Sequence, residues 1–322
     1  SLGGPDTYGV ATGYLSTGYD NSDVEYLLKV GEPLGRVWGY EYEGFYTTSD
    51  FNAYDPINDV WYVKDAAGNY NKVSTVLADN DGARPGMTKL KDINGDGKIT
   101  KEDRTVIGNT MPLCTGGFSI GGNIGGNNWG TVDASANFNY SIGNDVVNLT
   151  ALDLSYIASA NSSSKLRNNL NTVAYGERYS LFDADGIYIP AAAFTSAPSG
   201  YAEGADYNNL TEKLETNNTT ASTFNPVVTN AALSSNFVED GSFLRLSSLT
   251  IGYSLPDKWI RKAYISKLRV FFTASNLFCL TNYSGNDPEV DTGSARNPLA
   301  SGLDFSAYPK SRAFNFGLNL SF

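Results

Sequence analysis

The sequence predicts an all-β chain: the C-terminal part of a large antiparallel transmembrane β-barrel with long extracellular loops. Two strongly alternating segments and the placement of long and short connections carry that prediction. The first segment is the last one. Phe314, Phe316, Leu318, Leu320 and Phe322 fall on one face of a strand, and Ala313, Asn315, Gly317, Asn319 and Ser321 on the other, because side chains alternate across a strand. Apolar residues toward lipid, small and polar residues toward a lumen and an interfacial aromatic at the end make a barrel strand. Taken alone, the segment reads equally well as the edge strand of a soluble sandwich.

The second segment breaks that tie. Val132, Ala134, Ala136, Phe138, Tyr140 and Ile142 share one face, and Thr131, Asp133, Ser135, Asn137, Asn139 and Ser141 share the other. A sandwich strand must bury an apolar face against a second sheet, whereas a polar inner face suits a water-filled lumen. Weaker alternation marks Phe118–Ile124, Leu249–Leu255, Leu268–Ala274, Trp38–Tyr42 and Val24–Val30, which makes about seven strands in all. Around Ser247 and Ser248 the alternation slips by one residue, the mark of a bulge.

The connections are of two kinds. Gly125-Gly126-Asn127-Asn128 and Gly31-Glu32-Pro33 are tight turns by composition, and Pro256–Ser266 is a short connector. Segments 47–112, 143–242 and 281–311 are long. Counted back from Phe322, every long segment lands at one end of the strands and every short one at the other, as barrels with short periplasmic turns and long outer loops require. Segments 47–112 and 143–242 are accordingly expected outside the cell, with residues 1–20 in a surface loop. Val146–Ile157 would break this parity as a strand and is assigned to the loop. Seven strands cannot close a wide barrel without leaving unpaired edges in lipid, so the chain is expected to be one portion of a larger barrel. Ser1-Leu2-Gly3-Gly4-Pro5 lacks the basic and apolar regions of a signal peptide, which places the native N-terminus of an exported protein upstream.

Composition excludes several classes. No apolar run of about 18 residues is present, which removes a transmembrane helix but not a transmembrane strand. The net charge of −11 and the lack of a basic stripe argue against nucleic-acid binding. Histidine is absent, which makes triad hydrolysis and zinc catalysis improbable; the chain is not expected to be an enzyme. The 21 tyrosines suit an interfacial girdle and equally a carbohydrate-binding surface. Cys114 and Cys279 lie far apart in apolar strands and read as packed thiols more readily than as a disulfide.

Residues 92–103 follow the spacing of an EF-hand calcium loop. Asp92, Asn94 and Asp96 stand at positions 1, 3 and 5, Gly97 at 6, the Lys98 carbonyl at 7, Thr100 at 9 and Asp103 at 12. Hard oxygen donors at this spacing wrap a calcium ion, here as a structural clip. Asp103 replaces the usual glutamate and shortens the reach. The same residues also make an Asn-Gly/Asp-Gly turn cluster that needs no metal.

Several blocks together resemble the SusC/RagA family of TonB-dependent outer-membrane transporters. They are Val30-Gly31-Glu32-Pro33-Leu34-Gly35 with Trp38-Gly39-Tyr40 and Gly44-Phe45-Tyr46; Asp92-Ile93-Asn94-Gly95-Asp96-Gly97 with Asp103-Arg104-Thr105-Val106-Ile107-Gly108; and Val238-Glu239-Asp240-Gly241-Ser242-Phe243-Leu244-Arg245-Leu246 with Leu249-Thr250-Ile251-Gly252-Tyr253. Ser275-Asn276-Leu277-Phe278, Thr281-Asn282-Tyr283-Ser284-Gly285, Asp287-Pro288-Glu289 and the terminal strand complete the set. The resemblance implies a barrel of some twenty-odd strands in a Gram-negative outer membrane, a plug and a TonB-contacting segment that match nothing here, and a SusD-like surface lipoprotein as lid. It implies import of a nutrient, a glycan or a peptide, with the remaining strands and plug supplied from outside this chain. Tyr283, Asp287, Glu289 and Asp291 are candidate substrate or lid contacts, and Phe322 the barrel assembly signal. The competing reading is a soluble, calcium-dependent glycan-binding module; a dockerin-like module would need a second calcium loop.

Overall fold

The computed structural model describes residues 12–15, 26–78, 82–155, 177–194, 200–225, 232–289, 301–305 and 308–322. They divide into two compact units: residues 109–147 with 239–322, and residues 1–108 with 148–238. Among the described residues, no helix is long and apolar enough to cross a membrane.

The first of these units is built on five antiparallel strands in sequence order: β1 (Cys114–Gly126), β2 (Gly130–Ile142), β3 (Phe243–Ser254), β4 (Lys267–Thr281) and β5 (Ala313–Ser321). Each pairs with the next, an up-and-down meander. The register aligns the alternating faces of all five strands. Ile120, Ala136, Leu249, Ala274 and Phe314 form one cross-strand row, and Ile124, Val132, Tyr253, Val270 and Leu318 another. This face has nothing packed over it: Phe316 is 82% exposed and Ile124, Ile120, Leu318 and Leu280 are exposed as well. Rings tile it, with Phe118 and Phe138 stacked at 4.8 Å and Phe272 5.0 Å from Phe316. An apolar face this continuous on the outside of a sheet is far larger than water-soluble monomers expose.

The slip anticipated at Ser247 and Ser248 is a bulge. The register jumps from Leu246 to Ser248 against both neighbours, which keeps Leu246 and Leu249 on the apolar face. Opposite it, Asn276 adopts a left-handed φ of 52°. The short connections gather at one end of the sheet. Residues 127–129 turn β1 into β2, and Gly130 sits at φ 90°, where a Cβ would meet the Ser254 carbonyl at 2.3 Å. Pro256–Ser266 contains a helical turn, Asp257–Ile260. Both long connections lie at the other end.

Two expectations change. The segments 24–30 and 38–42 do not join the meander. Their strands, Tyr26–Lys29 and Arg36–Gly39, lie in a separate four-stranded sheet between Thr12–Leu15 and Thr105–Asn109. The reason is burial: Tyr26, Leu27 and Leu28 are all buried in succession, so Tyr26–Lys29 has no lipid-type face to alternate. The meander thus has five strands rather than about seven. Nor are 47–108 and 148–238 open loops. They share an aromatic core in which Trp61 packs 4.7 Å from Tyr54, 5.7 Å from Phe51 and 6.1 Å from Tyr207. Helix Ala205–Asn217 buries Tyr207, Leu210 and Leu214 at helical spacing. Tyr54 and Ala202 exchange backbone hydrogen bonds, and the Asn225 amide donates to the Gly86 carbonyl at 2.7 Å. Val146–Ile157 is no barrel strand: it comprises Asp145–Asn148, paired with short strands, and helix Leu149–Ser155, beyond which it leaves the described residues. Cys114 and Cys279 are free thiols, but they are not packed as expected: Cys114 is exposed and Cys279 only half-buried.

The two faces make opposite predictions. Phe316→Arg, mid-strand on the apolar face, is expected to cost about 2–4 kcal/mol of barrel stability in lipid vesicles, and Asn315→Arg on the other face less than about 1 kcal/mol. Equal losses in denaturant unfolding would contradict the assignment of faces.

Candidate functional site

The other face of the meander is polar and internally bonded. The Ser119 hydroxyl donates to Asn137 at 2.6 Å, Asn137 Nδ2 donates to Ser248 at 2.7 Å, and the Thr250 and Thr273 hydroxyls lie 3.0 Å apart. Ser247 donates to Asn139. Near the short-turn end, Arg269 on β4 reaches across β3 to Asp133 on β2 as a bidentate pair, Nε to Oδ1 at 2.9 Å and Nη2 to Oδ2 at 2.5 Å. The guanidinium crosses directly over Gly252, where a Cβ would lie 2.4 Å from Nη2. It also lies 5.1 Å from the Phe271 ring, which in turn occupies the space a side chain at Gly317 would need. Two glycines therefore make room for one ion pair and one ring. The bidentate fork fixes geometry as well as charge.

Toward the long-connection end the same face carries a denser network. Arg245 is 5% exposed and Asp287 3%. The guanidinium pairs with Asp287 at 2.5 Å, and Nε stands 3.2 Å from Glu289 Oε2. That second contact is an ion pair without hydrogen-bond alignment, since Nε has no hydrogen-bond partner. Lys310 closes the far side on Glu289 at 2.5 Å. Asp287 also accepts from the Glu289 amide at 2.9 Å and the Lys310 amide at 3.3 Å. Arg245 on β3 thus fastens the first arm of the β4–β5 connection, and Lys310 ties the second arm to the same two carboxylates. Tyr283 is buried as well and donates to Asp304 at 2.6 Å, while Ser284 bonds Glu239 at 2.8 Å. Burial and the phenol's bond to Asp304 hold Tyr283 well above the usual phenol range.

Tyr283, Asp287 and Glu289 are therefore brought together, but facing inward. Tyr283 and Asp287 spend their polar atoms within the protein and brace the connection, and Glu289 is shared between two cations. Asp291 lies outside the described residues. The cations that organise Asp287 and Glu289, Arg245 and Lys310, were not singled out by sequence, nor was Arg269 at the other end. For Arg245 and Arg269 the available signal was a cation at a polar-face position of an alternating strand, where neighbouring positions are Ser, Thr and Asn.

With this geometry in place, the comparisons are specific. Two TonB-dependent receptors of Formosa agariphila are each 27% identical to the chain. One aligns over 302 residues, 92% of this chain and 23% of that protein; the other over 311 residues, 92% and 26%. The TonB-dependent receptor SusC of Bacteroides thetaiotaomicron is 36% identical over 91 residues, 28% of this chain and 8% of SusC. The solved structure of the RagAB peptide transporter superposes with a TM-score of 0.54 at 19% identity, over 92% of this chain and 24% of that one, a likeness of fold. The chain is similar to SusC/RagA-type transporters. No family model matches it. It spans about a quarter of the length of the Formosa receptors, and its five-stranded meander is a portion of the antiparallel barrel wall of such transporters.

In this chain the 92–103 loop is closed by its own backbone. Asp92 accepts from the Gly95 and Gly97 amides, both at 2.7 Å, Asn94 from Asp96 at 2.9 Å, and Asp96 from Lys98 at 2.8 Å. Gly95 and Gly97 take φ of 75° and 77°, which the turns require. Asp103 is fully buried. It accepts from the amides of Ile93 at 3.0 Å, Asn94 at 3.4 Å and Thr100 at 2.7 Å, capping the short 3-10 turn Lys101–Asp103. Among the described residues, no three acidic, cysteine or histidine side chains converge as a metal-holding set.

Two outcomes are expected. Arg245→Ala strands a buried carboxylate and should cost about 3–5 kcal/mol, whereas Arg245→Met with Asp287→Leu should restore much of it; thermal unfolding of the whole barrel distinguishes them, and a wild-type melting point for Arg245→Ala would contradict the network. Burial pushes the Asp103 carboxyl up, but the amides of Thr100, Asn94 and Ile93 outweigh it and hold it below the usual range. Its contribution is then complete above about pH 4 and lost as pH falls through the lowered value. Asp103→Asn should remove that acid dependence and cost about 1–3 kcal/mol, equally with calcium or with chelator; a loss confined to calcium-containing buffer would favour the metal reading.

Proposed function

We propose that this chain is the C-terminal wall of an outer-membrane importer that takes up a nutrient, a glycan in preference to a peptide, with energy supplied through TonB. The observation that carries the reading is the meander itself: one unbroken apolar face and one polar, ion-paired face on the same five strands. A sheet of this kind separates lipid from water, and a soluble module has no use for its outer face. The names of the relatives, TonB-dependent receptors and a RagAB peptide transporter, support the same class. In this reading the long connections are extracellular, a SusD-like surface lipoprotein caps them, and the TonB-contacting segment, plug and remaining strands lie outside this chain. Phe322, 84% exposed beyond β5, serves as the assembly signal, and the outer edge of β5 pairs with the first strand of the barrel. No chemical step is involved; the wall only lines a path.

Deleting the gene that encodes the whole transporter should abolish growth on one oligosaccharide and spare growth on peptides. Undiminished growth on every glycan and peptide offered would refute import, and loss on peptides alone would replace the glycan.

A further inference from the structure

The unit formed by residues 1–108 and 148–238 carries an aromatic surface that its core does not use. Strand Val60–Lys64 alternates: Trp61 is fully buried in the core, while Tyr62 and Lys64 point the other way. Lys64 pairs in register with Tyr70 on the next strand, and Ala53, the register partner of Tyr62, is a small buried residue. On the far side of Ala53's strand, Ala202 bridges to Tyr54, which sets Tyr201 and Glu203 on the same face as Tyr62. Three rings therefore meet. Tyr201 lies 4.8 Å from Tyr62 and 4.7 Å from Tyr70, tilted by 59° and 48°, and Tyr62 meets Tyr70 edge-on at 6.4 Å. Tyr201 is 42% exposed, and its two neighbours are half-buried. An outward strand face is ordinarily polar, and three rings gathered at water are not needed to fill the core behind Trp61.

Charged groups rim the rings. Lys64 Nζ sits 5.0 Å over the Tyr70 ring and 3.6 Å from Glu203, and the Tyr70 hydroxyl donates to Glu203. Both charged side chains are about half exposed. The rim thus offers a donor and an acceptor whose charges cancel, beside flat amphipathic rings. A sugar ring has the complementary chemistry: an apolar C–H face to lie on a tyrosine, and equatorial hydroxyls that both donate and accept. A charged ligand would find no uncompensated partner here.

We propose that Tyr62, Tyr70 and Tyr201, with Lys64 and Glu203, bind a neutral hexose or pentose unit of an oligosaccharide, a reading that rests on glycan import and gives it a place on the chain. Tyr201 is the stacking ring, and Glu203 and Lys64 hold the hydroxyls.

The test uses the purified full-length transporter in detergent. Calorimetric titration with maltohexaose, laminarihexaose, mannohexaose, xylohexaose and an uncharged hexapeptide should show binding of at least one sugar, little changed by added salt because the rim is neutral. Tyr201→Ala should weaken that binding about tenfold or more, and Tyr201→Phe should keep most of it, with melting points unchanged for both. Equal affinity in wild type and Tyr201→Ala, a preference for the hexapeptide, or no sugar binding at all would overturn the proposal. Binding is read without transport, so growth lost on deletion together with no effect of Tyr201→Ala would refute the platform alone. Sugar binding that depends on Tyr201 in cells whose growth never needs the gene would refute import alone.

Discussion

In hydrocarbon, a backbone amide or carbonyl without a partner costs several kcal/mol, and the meander is organised around that constraint. Pairing each strand with its neighbour in sequence satisfies the ladder, and it forces side chains to alternate between two solvents. Everything on the sheet follows from which solvent each side meets. Phe314, Phe316, Leu318 and Leu320 stay apolar because nothing covers them. Asn137, Ser119 and Ser248 stay polar because they bond one another across strands.

The polar face shows how little room such a wall leaves. The Arg269–Asp133 pair crosses an intervening strand, so that strand must carry Gly252 at the crossing point. Phe271 fills the position opposite Gly317 in the same way. At the other end, Arg245 sits buried among Asp287, Glu289 and Lys310, with two carboxylates against two cations. A buried arginine is tolerated only because the Asp287 and Glu289 carboxylates compensate it. The consequence is mechanical: Arg245 fixes the first arm of the β4–β5 connection to the wall, and Lys310 ties the second arm to Asp287 and Glu289.

The compact unit of residues 1–108 and 148–238 obeys a different rule. It has a conventional core, with Trp61 at its centre and rings from both sequence segments around it. Its turns are held by side chains that accept from nearby amides, as Asp92 and Asp103 do. Such capping needs no metal, which is why a calcium-like spacing and a self-closed loop coexist at 92–103.

The sequence by itself determined the membrane-facing part of this protein. Period-two alternation at 131–142 and 313–322 fixes which residues face which solvent, and the slipped alternation at Ser247 already marks the bulge, because both are local properties of a strand. The sorting of short and long connections to opposite ends was legible for the same reason. The tertiary structure decided what depends on residues far apart in the chain. Period alone cannot distinguish a lipid-facing strand from one buried on both sides, so Tyr26–Lys29 passed for a member of the meander, and Arg36–Gly39 with it, although its alternation buries Val37 and Gly39. Nothing in 47–108 announces that its Trp61 packs on Tyr207 more than a hundred residues later. Nor does spacing reveal that Arg245 faces Asp287, or that Tyr62, Tyr70 and Tyr201 converge, since those meetings arise only when separate strands are laid side by side.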